Sequence, residues 1–301
     1  MSTTTGAGPD GRAGIDADLV RRLLVAQHPQ WADLPVTPVE VDGWDNRTYR
    51  LGDDLTVRLP TAKGYVPAVA KEDTWLPRLA PHLPLPVPEP VATGEPGEGY
   101  PFPWSVRRWL PGAPARADLV DDLARFATDL AGFLRALWAV DASGGPVAGD
   151  HSFHRGADPA HYDAETRRCL ALATGIDTAA ATEVWDRALA APYAGEPCWF
   201  HGDVAVGNLL VDRGRLSGVI DFGTSGVGDP ACDLVIAWTS LDAGAREAFR
   251  DATDLDSGTW ARARGWALWK ALLGLTGDDV TPERRAREVA IIDAVVADAG
   301  C

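Results

Sequence analysis

The hydrophobic period of this chain changes once, at Pro111-Gly112-Ala113-Pro114. Before that cluster, apolar residues alternate with polar ones in short runs broken by proline and glycine. After it they recur at helical spacing over long runs. Val39 and Val41, Tyr49 and Leu51, and Leu55, Val57 and Leu59 alternate with polar residues between Asp-Gly, Asp-Asn and Gly-Asp-Asp turn signals. That pattern predicts three antiparallel strands. Helices are expected on either side, over 15–32 and over 68–80, the second blemished by Pro77. A proline-punctuated extended run at 83–91 and one more strand in 103–110 complete this part. Residues 118–140 predict a long amphipathic helix, and the helical period returns over 158–174, 178–191, from Pro230, from Gly244, and over 259–274 and 281–298. The small polar residues 1–14 read as a disordered tail. The expectation is an α+β chain of two lobes: a small β-rich N-terminal lobe (15–111) and a large, mostly helical C-terminal lobe (112–301).

Composition narrows the class of partner. A net charge of −15, from 28 Lys and Arg against 43 Asp and Glu, argues against nucleic acid or an anionic membrane surface, both of which need a basic face. The same imbalance mildly favours a cationic small molecule, although it equally serves solubility. No run of eighteen apolar residues predicts a membrane span. Cys169, Cys198, Cys232 and Cys301 fit no zinc spacing, and without an export signal they are expected to be reduced thiols in the cytoplasm.

One strand-like stretch interrupts the helical half: HGDVAVGNLLVDRGRLSGVIDFG, 201–223. A two-residue turn at Gly214-Arg215 would pair Val211 with Gly218, Leu209 with Ile220, and Asn208 with Asp221, the last two about 5 Å apart at Cα. A carboxylate and an amide oxygen side by side are hard ligands suited to Mg²⁺. Asp203, five residues before Asn208, would then take a proton from a substrate hydroxyl. Kinases place a base Asp, a metal Asn and a metal Asp in this order, with Gly202 here where protein kinases carry Arg. Asp-Phe-Gly alone is an ordinary turn, and His201 is expected to support the loop rather than react; the combination carries the reading. The β-rich lobe should then hold the nucleotide. Asn46 and Thr48 belong to a Gly43–Thr48 loop that can fold over phosphates, and Arg58, with Glu72 as its acid, stands where a kinase lysine is expected. The backbone of Arg108, Trp109 and Leu110 would read the purine edge, as the hinge strand.

The segments WDNRTYRLGDDLTVRLP, CWFHGDVAVGNLLV and VIDFGTSGVGDPACDL resemble the aminoglycoside phosphotransferase family, antibiotic kinases with a protein-kinase-like fold, and the resemblance extends over roughly 35–300. It implies Asp203 as catalytic base, Asn208 and Asp221 as magnesium ligands, and ATP or GTP as phosphoryl donor. It implies an aminoglycoside acceptor first and a macrolide second; homoserine, choline or sugar-amine kinases share the motifs, and a nucleotide-binding pseudokinase is the non-enzymatic alternative. Acidic side chains from the helices after Gly244 would favour a cationic antibiotic; a recess lined by Trp260, Trp266 and Trp269 would favour a macrolide. Asp229 and Asp233 read as scaffold, Asp229 as the N-cap before Pro230 and Asp233 bonding back into the first turn.

Overall fold

Asp16 accepts a hydrogen bond from Leu19 N at 2.8 Å and so starts the first helix, α1 (Ala17–Gln27), which buries Leu19, Val20, Leu23 and Leu24. The structure, a computed structural model, describes residues 14–39, 43, 45–278 and 280–300. These divide into two units, one running to Pro81 with Val87–Leu110, the other comprising His82–Pro86 and the chain from Pro111.

The first unit is a five-stranded antiparallel sheet in the order β1-β2-β3-β5-β4, made of β1 (Val36–Pro38), β2 (Asn46–Leu51), β3 (Leu55–Pro60), β4 (Pro90–Gly94) and β5 (Trp104–Arg108). Strand alternation sorts its two faces. Tyr49, Leu51, Leu55, Val57, Leu59, Trp104 and Val106 form one buried cluster with the apolar stripe of α1. Thr48, Arg58, Ser105 and Arg107 alternate with those residues, and α2 (Val66–Leu79) supplies the buried Glu72 that pairs with Arg58 and Arg107. Pro77 lies in the last turn of α2, and the helix runs on only to Leu79. The extended run at 83–91 leads into a strand the period did not mark, β4, which pairs with β5 and ends at Gly94, where any Cβ would collide with the Trp104 indole. The first strand lies at Val36–Pro38, ahead of the expected Val39–Val41; residues 40–42 and 44 fall outside the described set.

In the second unit, Asp122 caps α3 (Leu123–Trp138), so the helix begins five residues later than its apolar period suggested. β6 (Ala113–Pro114), β8 (Leu209–Asp212) and β9 (Arg215–Val219) form one small sheet, and β7 (Cys198–Phe200) pairs with β10 (Gly226–Gly228) in another. The remaining helices are α4 (Asp163–Leu172), α5 (Thr178–Leu189), α6 (Ile236–Thr239), α7 (Ala243–Thr253), α8 (Ser257–Thr276) and α9 (Pro282–Ala299). α8 is apolar on nearly every face and is accordingly packed against α4, α5 and α9. Trp260, Trp266 and Trp269 on it are all buried.

The β8–β9 hairpin corrects the expected register. Its turn is Arg213-Gly214, both at positive φ (49° and 76°), a pair of signs that matches strand twist and places Gly second. Asp212 therefore faces Arg215 and Val211 faces Leu216; a bulge at Ser217 then shifts the pairing to Leu210 with Gly218 and Leu209 with Val219. Asn208 and Asp221 are not ladder partners. Instead Ile220 N donates to Asn208 O at 2.9 Å, which leaves Asp221 one residue beyond the pairing.

Candidate active site

Strand β7 delivers the chain into His201-Gly202-Asp203, and the loop is pinned from beneath. The fully buried Asp233 accepts from His201 N (3.0 Å), Gly202 N (2.7 Å) and Trp138 Nε1 (3.2 Å). Burial holds the Asp233 carboxyl above its ordinary range, against the pull of His201 and these donors. Sequence reasoning had aimed Asp233 at its own helical turn; it reaches across the unit to the loop. His201 is spent at both ring nitrogens. Nδ1 accepts from Asp203 N at 3.2 Å, so Nε2 is the donor to Ile220 O at 3.0 Å. Gly202 has φ +85°, and a Cβ there would sit 2.9 Å from Thr224 O, so the tight entry to Asp203 requires glycine.

Asp203 is the half-buried acid at the end of this turn. Lys270 Nζ lies 3.0 Å from its Oδ1, and Asn208 Nδ2 donates to its Oδ2 (3.2 Å) and to its carbonyl (2.9 Å). Burial pushes the Asp203 carboxyl upward, but Lys270 and Arg155 outweigh it and hold the group below the usual carboxylate range. It is therefore ionised near neutral pH and able to accept a proton.

Because Asn208 spends its NH₂ on Asp203, its Oδ1 is the atom left to act as an oxygen ligand. Asp221 is the N-cap of the short turn Phe222–Thr224, in a left-handed conformation (φ 67°), yet its carboxylate makes no capping bond. Asp16, Asp122, Asp158, Asp177, Asp229, Asp242 and Asp256 all do accept from the turn they cap. The Asn208 amide oxygen and the Asp221 carboxylate are hard oxygen donors of the chemical kind a magnesium ion takes. Among the described residues no cluster of three or more His, Cys, Asp or Glu offers an alternative metal site.

Asp229 caps Pro230–Val235 as expected, accepting from Ala231 N at 3.1 Å. It also forms a buried bidentate pair with Arg262 of α8 (2.6 and 3.1 Å), which ties the helix start to the centre of the unit.

In the first unit, the register sets Thr48 opposite Arg58 and Asn46 opposite Pro60, so Asn46, Thr48 and Arg58 share one sheet face. Arg58 Nη1 is 3.5 Å from Glu72 Oε2, and Arg107 Nη1 is closer, at 3.1 Å. Arg107 is fully buried and also binds Asp73 Oδ1 (3.0 Å) and Ser105 Oγ (3.0 Å). Glu72, 3% exposed, is thus a buried hub between two guanidinium groups and no ordinary surface pair. Asp73 is raised by burial more than Arg107 lowers it. Arg108 N donates to Glu89 O and Trp109 N to Asp54 O, and the Arg50 guanidinium lies 4.0 Å from the centre of the Trp109 ring. The amides of Arg108 and Trp109, two of the three residues expected to read a purine edge, are therefore engaged by carbonyls that flank β4 and β3.

Three residues escaped the sequence reading: Lys270, Arg155 and Arg107. Arg155, Asp203, Trp266, Trp269 and Lys270 line one recess of the second unit. Lys270 had a signal, being one of only three lysines, with Lys63 and Lys71, in an arginine-rich chain.

The model of the phosphotransferase enzyme family matches residues 36–266. The chain belongs to that family. The resemblance to aminoglycoside phosphotransferases is borne out, and so is the two-lobed, protein-kinase-like fold. An aminoglycoside 3′-phosphotransferase of Escherichia coli is 38% identical over 65 residues, 21% of this chain and 23% of the relative. One of Salmonella typhimurium is 40% identical over 50 residues, 17% of this chain and 18% of the relative. The matched stretches span less than a quarter of these curated relatives. Among solved structures, the GDP complex of aminoglycoside 2′-phosphotransferase-IIIa matches at TM-score 0.69 and 18% identity, over 93% of this chain and 98% of that one. A macrolide 2′-phosphotransferase of Brachybacterium faecium matches at 0.58 and 24%, over 92% and 98%. These likenesses are likenesses of fold.

Proposed function

We propose that the chain transfers the γ-phosphoryl group of ATP or GTP to a hydroxyl of a small molecule. The observation that carries this reading is Asp221: it stands at an N-cap in a left-handed conformation, leaves the cap unmade, and follows Ile220, whose N–H bonds the carbonyl of the same Asn208 that donates to the ionised Asp203. A bound magnesium ion would be held by Asn208 and Asp221 and would neutralise phosphate charge. Asp203 orients the acceptor hydroxyl and takes its proton. Asn208 keeps the Asp203 carboxylate in place, and Lys270 keeps it ionised. Arg58, held by Glu72, neutralises the non-transferring phosphates, with Asn46 and Thr48 on the same sheet face. His201, Asp229 and Asp233 are support. Catalysis of this kind is positioning and electrostatics.

The relatives' names point to an antibiotic acceptor, aminoglycoside or macrolide. The recess beside Asp203 does not favour a polycation, because Arg155 and Lys270 line it and Asp203 is its one carboxylate. Two of the three tryptophans considered, Trp266 and Trp269, line it, which favours a macrolide or another acceptor with an apolar face. No helical segment of the described residues is long and apolar enough to cross a membrane. The test is nucleotide turnover with Mg²⁺ and ATP or GTP against aminoglycosides, macrolides, amino alcohols and sugars, with the product identified by mass. One class of phosphorylated product, absent with Asp203→Ala, is expected. Nucleotide binding with no transfer to any acceptor would instead indicate a pseudokinase.

A further inference from the structure

Two cations line the recess beside Asp203, and only one of them is paired. Lys270 binds Asp203 at 3.0 Å. Arg155, half-buried, makes no ion pair or side-chain hydrogen bond among the described residues; Phe153, its described ring neighbour, lies 5.6 Å from its Cζ, near the outer limit of a cation–π contact. Composition does not force this vacancy, since acids outnumber bases 43 to 28. The acids of the neighbouring segments are committed elsewhere. Glu165 accepts from Trp269 Nε1 (3.0 Å), Asp163 from Trp185 Nε1 (2.7 Å), and Asp150 pairs with His154 (2.9 Å). The rest of the recess is largely apolar and aromatic, with Trp266 beside Trp269 and Tyr162 stacked on Trp269 at 4.3 Å. A half-buried guanidinium that acts on Asp203 only from a distance has no acid in contact, and its planar fork matches carboxylate and phosphate.

We propose that the acceptor of this phosphotransferase carries an oxyanion, a carboxylate or a phosphate monoester, which Arg155 grips at the recess beside Asp203. The proposal rests on the phosphoryl-transfer reading and names the substrate class of that site. In the transfer, the acceptor O–H bond breaks and its proton passes to Asp203. The acceptor oxygen forms the new bond to the γ-phosphorus, and the bond from that phosphorus to the β–γ bridging oxygen breaks, its electron pair leaving with the nucleoside diphosphate. An ammonium group in the same place would meet two like charges.

The test uses sugars of one skeleton that differ in charge: glucuronate, a glucose monophosphate, glucose and glucosamine. Each is offered with Mg²⁺ and ATP or GTP to the wild type, Arg155→Gln and Arg155→Lys. Glucuronate, the glucose phosphate or both should be phosphorylated with higher kcat/KM than glucose, and glucosamine with lower. Which of the two responds says whether carboxylate or phosphate is recognised. The preference for oxyanion over glucose should fall by about tenfold or more in Arg155→Gln, through KM, with partial recovery in Arg155→Lys. The inference is overturned if glucosamine or glucose is preferred, if no oxyanion exceeds glucose, or if, at a pH where Asp203 stays ionised in both proteins, Arg155→Gln leaves the preference for oxyanion over glucose unchanged. Should Arg155→Gln not fold, the wild-type ranking alone decides. Failure of the phosphoryl-transfer reading is distinct: wild-type nucleotide turnover would be absent, or equal in Asp203→Asn.

Discussion

Lys270 Nζ and Asp203 Oδ1 stand 3.0 Å apart, bringing the middle of α8 to the HGD loop across 67 residues of sequence. The contact sets the ionisation of the proposed base. Burial alone would raise the Asp203 pKa; Lys270 and Arg155 bring it below the ordinary value. In Lys270→Met one of those cations is gone, so the folded-state pKa rises and less carboxylate is ionised at a given acidic pH. The acidic limb of the kcat/KM profile should move to higher pH. Because Lys270 is 43% exposed, added salt should narrow the difference between variant and wild type. An acidic limb at the wild-type position would detach Lys270 from the base.

Asp233 predicts a coupled loss of stability and rate. Asp233→Ala strands the amides of His201 and Gly202 and the Trp138 indole, each an unmet buried donor costing about 1–3 kcal/mol. Urea denaturation should show a loss of about 3 kcal/mol or more. Turnover of the folded fraction should fall as well, since the loop that aims Asp203 loses its floor. A full rate from folded protein would show that His201 and Thr224 hold the loop without Asp233.

The Asp229–Arg262 pair is buried at both partners, 4% exposed each. Arg262→Met leaves an uncompensated buried carboxylate and should cost about 3–5 kcal/mol in a denaturation experiment. Adding Asp229→Asn should recover part of that loss, because the amide still caps Ala231 N without needing a counter-charge. Additive losses in the double variant would contradict the coupling.

In the first unit, Arg58→Ala should raise nucleotide Kd, measured by fluorescence titration, by about tenfold or more, the scale of one charge-assisted contact to phosphate. Arg107→Met should act on stability first, since it leaves Glu72 and Asp73 buried with less opposing charge. Wild-type nucleotide affinity in Arg58→Ala would remove Arg58 from the phosphate site.

What could be read from the residues alone was whatever is local. The single change of period at Pro111, the cap at Asp229 and the spacing of Asp203, Asn208 and Asp221 are all written in neighbouring positions. The hairpin register was not, because Gly214 suits either of two turns and only the pairing shows the bulge at Ser217. Asp233 looked like a helix-start residue since it is one; its second use depends on β7 arriving beneath it. Lys270 and Arg155 reach Asp203 only through the packing of α8 and of the 150–156 segment, and nothing adjacent to them marks the destination. Order along the chain points Glu72 to Arg58, whereas the nearer Arg107 comes from a strand that follows much later.

The most direct test of the account is Asp203→Asn, which keeps the shape of the loop and removes the base. Phosphoryl transfer to the wild type's acceptor and the Kd of the magnesium nucleotide are to be measured on the same preparations. A fall in kcat of about 10²–10⁴-fold is expected, the range for a positioned acid–base group, with nucleotide Kd within about twofold of the wild type. Transfer at the wild-type rate would contradict it, and the chemistry would then have to be sought away from the HGD loop.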